Sequence, residues 1–199
     1  MDNKIATCLN TLSKITIFRF SDVILSDIST NIMITFVNLI IKDLVVDNHD
    51  KENKWETLCN VCEFMDGTSP ETFKYLSQCL GINLYYRDFE GDTYLHKSCY
   101  NIPNVDVARC LVSIGFDVNS TNYFEIIPII NAVWYNHLEI IKILLDAGSF
   151  VNYNYGRGYS YDYPIIDAVQ SNNLELTKLL LKYGADPNLE TEYNISAIK

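Results

Sequence analysis

The sequence repeats itself at intervals of about 34 residues, and this periodicity constrains the fold more than any other feature. Three segments align with one another: residues 91–119, 125–152 and 161–188. A glycine closes each unit, at Gly115, Gly148 and Gly184, with spacings of 33 and 36 residues, and an asparagine follows each glycine four residues later. Such a period indicates a stack of similar units, each of which buries its apolar face only against its neighbours.

Each unit has the pattern of two short helices. Pro128 and Pro164 stand where a first helix would begin, because there the missing N–H costs nothing and the fixed φ favours the helix. A large apolar position and a small one follow on this helix: Leu95, Ile129 and Ile165, then Ser98, Ala132 and Ala168. Residues 138–145 predict a second helix with too many apolar residues for one exposed face, so it must be covered on both sides. Gly148 is predicted to end this helix in the left-handed conformation.

Two motifs give these units a family resemblance. GDTYLH at residues 91–96 resembles the T-P-L-H opening of ankyrin repeats, and LLLKYGADPN at residues 179–188 resembles the end of their second helix. The resemblance covers residues 88–199. Departures from the usual residues indicate divergent repeats: Tyr94, Phe116, Ile130, Ser149 and Ile166. Together with a composition rich in Ile, Asn, Tyr and Lys, they make the chain similar to ankyrin proteins of large DNA viruses and intracellular parasites.

The resemblance implies an all-α ankyrin-repeat solenoid of stacked helix–turn–helix units with projecting hairpins. We expect a degenerate unit, three clear units and a partial one, at residues 55–88, 88–121, 122–154, 155–190 and 191–199. Residues 1–54 are predicted to form a small helical N-terminal segment, which either caps the first unit or is a separate adaptor module. Because the last unit lacks a polar cap, we expect either a fragment of a longer protein or a tail that folds back as a cap.

Composition restricts the kinds of partner and the compartment. The net charge of −10 repels phosphate backbones, so we expect no nucleic-acid partner. No signal-peptide pattern begins the chain, and the apolar stretch at residues 28–46 contains charged and amide side chains that disfavour a membrane span. The six cysteines are then interpreted as reduced core thiols. We expect an intracellular, monomeric protein in the cytoplasm, which is the host cytoplasm if the source is viral.

One set of residues has the spacing of metal ligands. One pair is C-x2-C, formed by Cys59 and Cys62, and the other is H-x2-C, formed by His96 and Cys99. Together the two pairs could bind zinc. The preferred interpretation is structural: the resemblance implies that His96 organises the loop before its helix, and Cys62 and Cys99 occupy a core position. No nucleophile–base arrangement and no phosphate-binding loop is visible, so we expect no enzyme activity and no cofactor.

A tyrosine-rich segment separates the second and third clear units. Residues 153–163 contain five tyrosines interleaved with Gly, Ser, Asn and Arg, a composition typical of binding loops. The segment lies between Asn152 and Pro164, where the resemblance places a projecting hairpin, and it makes that hairpin about three residues longer. Either the tyrosines contact a partner, which we favour, or they pack on one another and on nearby helices.

The sequence therefore predicts a protein–protein interaction scaffold whose partner it does not identify. The resemblance places Tyr100 and Trp134 at the ends of first helices, facing the concave groove, although Trp134 could instead pack in the core. The predicted binding residues are Phe89, Tyr100, Tyr123, Phe124, Trp134, Tyr135, Tyr153, Tyr155, Arg157, Tyr159 and Tyr161. In a further alternative, the array is a substrate, because Asn119, Asn152 and Asn188 match a position at which asparagine hydroxylation is known in the family.

Overall fold

The computed structural model of the chain describes residues 55, 58–59, 70–100, 103–155, 163–191 and 193–198. All of them belong to one unit of the chain, residues 53–199. The predicted N-terminal segment, residues 1–54, lies outside the described residues, as does most of the long tyrosine-rich hairpin, residues 156–162. Within the described part of the chain, no helix is long and apolar enough to cross a membrane.

The described residues include seven helices with defined bounds and no strand, and Trp55, Leu58 and Cys59 are helical as well. The helices are α1 (Pro70–Cys79), α2 (Tyr94–Lys97), α3 (Val105–Ser113), α4 (Pro128–Trp134), α5 (Leu138–Asp146), α6 (Pro164–Gln170) and α7 (Leu174–Lys182). The pairs α2–α3, α4–α5 and α6–α7 are the two helices of the three clear units. Helix α1 packs against α3 in the way that α3 packs against α5, so it takes the place of a second helix in the predicted degenerate unit.

The helices lie in two layers with the core between them. The first helices α2, α4 and α6 pack side by side, and α1, α3 and α5 form a second row. The large and small apolar positions of the sequence pattern are buried as predicted, with Ile129 and Ala132 both fully buried on α4. Burial of a side chain such as Ile129 contributes about 1.5–3 kcal/mol. The small side chain at position 132 leaves room for the neighbouring helix.

The periodic glycines end the second helices, as predicted. Gly115, Gly148 and Gly184 have φ of +92°, +89° and +86°, a region in which only glycine is free of strain. At the end of α5, the N–H of Gly148 donates to the carbonyl of Leu145 at 3.0 Å, and the N–H of Ser149 donates to the carbonyl of Leu144 at 2.9 Å. This pair of bonds is a Schellman motif, which satisfies carbonyl groups that the helix itself leaves without partners.

The first helices begin in two different ways. Pro128 and Pro164 are the first residues of α4 and α6, as predicted, and neither helix has a side-chain cap. Helix α2 begins at Tyr94 instead and is capped by a reciprocal pair, in which Thr93 Oγ1 accepts from the N–H of His96 and His96 Nδ1 accepts from the N–H of Thr93. The capping box compensates for the missing proline, because it satisfies two N–H groups at the helix start.

The periodic asparagines join successive units. Asn119 donates its amide N–H to the carbonyl of Gly148 at 3.1 Å and accepts from the N–H of Phe150 at 2.9 Å. Asn152 makes the same two bonds to the next unit, with Gly184 and Asp186. Asn188 bonds only within its own turn. The asparagine period therefore reflects a bridge from one unit to the next, and hydroxylation at these positions stays a prediction.

Replacing Asn152 by alanine removes both bonds to the third clear unit. We expect Asn152→Ala to lower the free energy of unfolding by about 1–2 kcal/mol, since two backbone groups lose their partner. Asn188→Ala is the matched control, because its amide bonds no other unit, and we expect a change below about 0.5 kcal/mol. Urea unfolding followed by circular dichroism measures both, and equal losses for the two variants would contradict the bridging role.

Candidate functional site

Three hairpin tips of the array share one five-residue loop. The loops comprise residues 88–92, 122–126 and 191–195, the last of which includes residue 192 outside the described residues. In each loop the N–H of the first residue donates to the carbonyl of the fifth, at 3.2, 3.0 and 2.8 Å respectively. The fourth residue has positive φ in all three, at Gly91, Glu125 and Asn194. The three tips therefore share the same closing bond and the same turn at the fourth residue.

A side chain at the first position stabilises each loop from within. Asp88 Oδ1 accepts from the N–H groups of Glu90 and Asp92, at 3.0 and 2.9 Å. Asn122 Oδ1 and Thr191 Oγ1 accept from the corresponding N–H groups of their own loops, at 2.9–3.2 Å. Because these bonds are made within each loop, the tips are ordered before any partner arrives.

An exposed aromatic side chain occupies the second or third position of every one of these loops: Phe89 is the second residue of its loop, Tyr123 and Phe124 are the second and third, and Tyr193 is the third. Phe89, Tyr123 and Tyr193 are 82%, 73% and 60% exposed, and Phe124 beside Tyr123 is also exposed. We call these four residues the hairpin row. Phe89, Tyr123 and Phe124 were predicted as binding residues, whereas Tyr193 was not. Its signal was available, because residues 191–195 align with 122–126 in the partial last unit, but that unit was aligned by its predicted helix start at Ala197 and Tyr193 was not selected.

The first two tips are bonded to each other. The N–H of Tyr123 donates to the carbonyl of Glu90 at 2.9 Å. The ring of Tyr123 lies directly on Gly91, where an added Cβ would be 2.8 Å from its Cδ1 atom. The guanidinium of Arg87 donates to the carbonyls of Gly91 and Thr121, at 2.8 and 2.7 Å. Phe89 and Tyr123 therefore belong to one continuous surface.

A second aromatic group lies at the ends of the first helices. Tyr100, Trp134 and Tyr135 form this helix-end cluster. Trp134 is 52% exposed, so it is not a core residue, and Tyr135 is exposed as well. The rings of Tyr100 and Tyr135 meet edge to face with centroids 6.2 Å apart, and Tyr135 stacks on His137 at 5.9 Å. His137 Nε2 bonds the carbonyl of Tyr100 at 2.8 Å, which links the two units beneath the cluster.

Hydrogen bonds connect Tyr100 to the hairpins. Its hydroxyl donates to Asp92 Oδ2, and the amide of Asn122 donates to Asp92 Oδ1 at 2.8 Å. Burial and the neighbouring Asp92 carboxylate both raise the pKa of Tyr100, so its hydroxyl stays protonated and donates. Asp92 is itself buried. The helix-end cluster and the first two hairpin tips therefore share one buried polar anchor.

A salt bridge supports the first tip. Asp88 Oδ2 lies 3.0 Å from Lys97 Nζ. Burial alone would raise the pKa of Asp88, but the Lys97 ammonium and the N–H groups of Asp92 and Glu90 outweigh it, and the pKa lies below its usual value. The carboxylate is therefore ionised in its role as the internal cap of the loop.

The described part of the tyrosine-rich hairpin corrects one expectation. Tyr155, predicted as an exposed binding residue, is only 7% exposed. Its ring packs edge to face on Trp134 with centroids 5.7 Å apart, and its hydroxyl donates to Asp167 on α6. Tyr153 is half-buried and donates to the carbonyl of Glu125 at 2.7 Å. These two tyrosines anchor the base of the hairpin, and Tyr155 holds the Trp134 ring in place.

Three further predicted binding residues, Arg157, Tyr159 and Tyr161, lie outside the described residues. Other exposed aromatics do lie within them and were missed. Tyr85 takes the place of the bridging asparagine in the degenerate unit and stacks on Phe116 with centroids 5.4 Å apart. Phe150 is exposed in the turn after α5. Each of these two residues takes the place of a polar residue found in other units. Neither was noticed in the sequence, because the loops that contain them have a mixed composition.

The residues of the zinc hypothesis have other partners. His96 is fully buried, with Nδ1 bonded to Thr93 and Nε2 3.0 Å from the carbonyl of Ile126 in the next unit. A carbonyl can only accept, so Nε2 carries the proton. The Cys99 thiol donates to the carbonyl of Leu95, and burial raises its pKa to about 12.

Binding of a metal at this position stays a prediction. Cys59 is half-buried and Cys62 lies outside the described residues. Among the residues that the structure describes, no group of three or more His, Cys, Asp or Glu side chains could hold a metal ion. His96 has the structural role that was preferred on sequence grounds, since its Nδ1 bonds Thr93 in the loop before the helix. Its bond to the carbonyl of Ile126 also links it to the next unit.

Charge is divided unequally between the two layers. Within the described residues, the helices α1, α3, α5 and α7 carry five carboxylates and five cations: Glu71, Asp106, Glu139, Asp146 and Glu175, with Lys74, Arg109, Lys142, Lys178 and Lys182. The other described residues include eight carboxylates and only two cations: Asp88, Glu90, Asp92, Asp117, Glu125, Asp167, Asp186 and Glu190, with Arg87 and Lys97. Within the part of the chain that the structure describes, the residues outside the second helices therefore have an excess of six negative charges (eight minus two), whereas the second helices are balanced.

Comparison with known proteins supports the repeat assignment. Residues 115–191 match the family model described as ankyrin repeats (3 copies). The match spans the two units in which the helix, glycine and asparagine pattern is most regular. No curated protein matches the sequence.

The buried His96 predicts a pH-dependent stability. Burial lowers its pKa below the ordinary value of 6.5, so the unfolded chain binds a proton that the folded chain does not. Stability is therefore expected to be full above about pH 6.5 and to fall as the pH drops below it, with a slope of at most about 1.4 kcal/mol per pH unit for one proton.

Urea unfolding at several pH values between about 5.5 and 7.5 measures this slope, in a range that straddles the ordinary histidine pKa. His96→Gln should be less stable at every pH, because it loses the bond to Ile126, and should show a shallower slope. A slope that is identical in the two proteins would show that His96 does not titrate on unfolding.

Proposed function

The chain is an ankyrin-repeat protein, and we propose that it is a non-catalytic scaffold that binds another protein through the hairpin row and the helix-end cluster. Ankyrin repeats generally mediate protein–protein interaction. The observation that carries the proposal for this chain is the recurrence of exposed aromatic side chains at the second or third position of three similarly stabilised loops. Exposed apolar surface of this extent is typical of interaction sites.

The anchoring of these side chains supports the same proposal. Trp134 projects into solvent but is held by Tyr155, whose hydroxyl is fixed by Asp167. Tyr123 is held by Gly91 and by the backbone bond to Glu90. Aromatic side chains that are ordered before binding lose little conformational entropy when a partner arrives, which makes them effective binding residues.

The extent of the surface favours a protein over a small molecule. Among the residues that the structure describes, a pocket of about 420 Å³ is lined by Phe150–Asn154. The aromatic surface extends across the tips of several units, which suits the larger contact area of a protein.

The finer parts of the interpretation remain proposals. We propose that the partner contacts the groove together with the long hairpin, including Arg157, Tyr159 and Tyr161. A host-cell partner, a monomeric state and a cytoplasmic location are predictions from the sequence and its resemblance. The partner is proposed to be a protein and not a nucleic acid, because the net charge of −10 opposes phosphate binding.

Site-specific crosslinking in cells tests the proposed surface. Tyr123 is replaced in the full chain by a photo-crosslinking phenylalanine analogue, and Leu174, an exposed residue at the start of α7, is replaced in the same way as the matched control. We expect a discrete crosslinked protein from position 123 and none from position 174. The same products from both positions, or no product from position 123, would contradict the proposal.

A variant then measures the contribution of the helix-end cluster. Trp134→Ala is expected to weaken binding of the crosslinked partner at least tenfold, about 1.4 kcal/mol, since a central tryptophan commonly dominates an interface. Helix content by circular dichroism should stay unchanged, because half of the Trp134 side chain is already exposed to solvent. Binding that survives this change would restrict the interface to the hairpin row.

A further inference from the structure

We infer that the helix-end cluster binds a proline-rich segment of the partner, a stretch of chain in the extended polyproline II conformation. This inference rests on the proposed function, and it adds the chemistry of the segment that the partner presents. It comes from the hydrogen-bonding groups that Trp134 and Tyr135 carry, in addition to the apolar area of their rings.

Two hydrogen-bond donors of the cluster are unused. In the part of the chain that the structure describes, neither the indole N–H of Trp134 nor the hydroxyl of Tyr135 makes a hydrogen bond, and both side chains are exposed. Tyr100 differs from them, because its hydroxyl donates to Asp92. A partner that covers Trp134 and Tyr135 must therefore supply acceptors, since a donor that loses its water without gaining a partner is unfavourable.

The rings that carry these donors are supported from the protein side. Tyr155 meets Trp134 edge to face with centroids 5.7 Å apart, and Tyr135 stacks on His137 at 5.9 Å. Trp134 is the last residue of α4 and Tyr135 follows it directly, so one short segment can contact both. The cluster thus offers aromatic surface together with two donors that face the solvent.

A proline-rich segment has the complementary groups. In the polyproline II helix the backbone carbonyls have no partner within the segment, so they are free to accept from an indole N–H or a hydroxyl. Proline has no N–H, so the segment brings few donors of its own that would need acceptors. Its rings pack on aromatic side chains, and its stiff backbone loses little entropy on binding.

Other conformations of the partner segment fit this cluster less well. An α-helix uses most of its carbonyls internally, so its apolar face would cover the Trp134 N–H without accepting from it. A β-strand binds by adding to the edge of a sheet, and the residues described by the structure include no strand. The two donors therefore favour the polyproline II segment over a helix or a strand.

Binding of two peptides to the full chain tests the inference. One is a run of about fifteen prolines and the other an alanine run of the same length, which favours a helix, and both have glutamines at their ends for solubility. The protein carries Trp55→Phe, which keeps an aromatic ring against Tyr94 and leaves Trp134 as the remaining tryptophan.

We expect the proline peptide to change the emission of Trp134 in a saturable way, and the alanine peptide to bind at least about tenfold more weakly. A proline peptide that leaves the emission unchanged up to about 1 mM would overturn the inference. Equally tight binding of the alanine peptide would overturn it as well, in favour of a helical partner segment.

Conservative variants test the two donors, with binding measured by the anisotropy of a fluorescein-labelled proline peptide. Trp134→Phe keeps an aromatic ring without the N–H, and Tyr135→Phe removes only the hydroxyl. We expect each to weaken binding about threefold or more, the effect of one lost hydrogen bond. Tyr85→Phe is the matched control, because it removes the hydroxyl of an exposed tyrosine outside the cluster and should change binding less than about twofold. Equal effects of Tyr135→Phe and Tyr85→Phe would refute the assigned site.

The crosslinked partner distinguishes this inference from the proposed function. If position 123 yields a crosslinked protein but the proline peptide does not bind, only the inference falls. If position 123 yields none, the proposed function is contradicted, whether or not the peptide binds. Crosslinking at position 123 that decreases with Trp134→Phe, together with weaker binding of the proline peptide, supports both.

Discussion

Hydrogen bonds from side chains of one unit to the backbone of the next hold this array in register. Asn119 and Asn152 each donate to and accept from the following loop, and His96 bonds the carbonyl of Ile126. Apolar packing between helices is tolerant of small displacements, whereas an amide that bonds two backbone groups is not. The aromatic side chains on the tips therefore have fixed positions relative to one another, which a surface built on independent loops would not provide.

The fold could be predicted because backbone geometry imposes residue types that the sequence displays. Positive φ after each second helix requires glycine at Gly148 and its equivalents, and a helix start tolerates proline at Pro128. The asparagines were found by their period, although the bonds that explain them connect residues about 30 positions apart. Helix α2 is an exception to the rule that proline begins the first helix, because a capping box with His96 replaces the expected proline there.

The candidate site was predicted less completely, for a different physical reason. Composition identifies which loops are rich in aromatics, but the direction of each ring depends on contacts with other units. Tyr155 looked like its neighbours in the sequence, yet Trp134 and Asp167 bury it. Tyr193 was overlooked because its unit was aligned by the predicted helix start at Ala197 and not by its loop, although Thr191 and Ile195 make the same closing bond as in the other loops. The distribution of charge between layers likewise became visible only once the helices were assigned to their rows.

The bridges between units connect nearest neighbours, and this has a consequence for local opening. In a stack with such short-range coupling, one unit can open while the units before it stay folded. Opening of α6 and α7 would release Asp167, then Tyr155, and so loosen Trp134. Phe89 and Tyr123 would keep their positions, because their bonds run among residues 87–126. A partner could thus hold the N-terminal tips while the far end of the surface opens and closes.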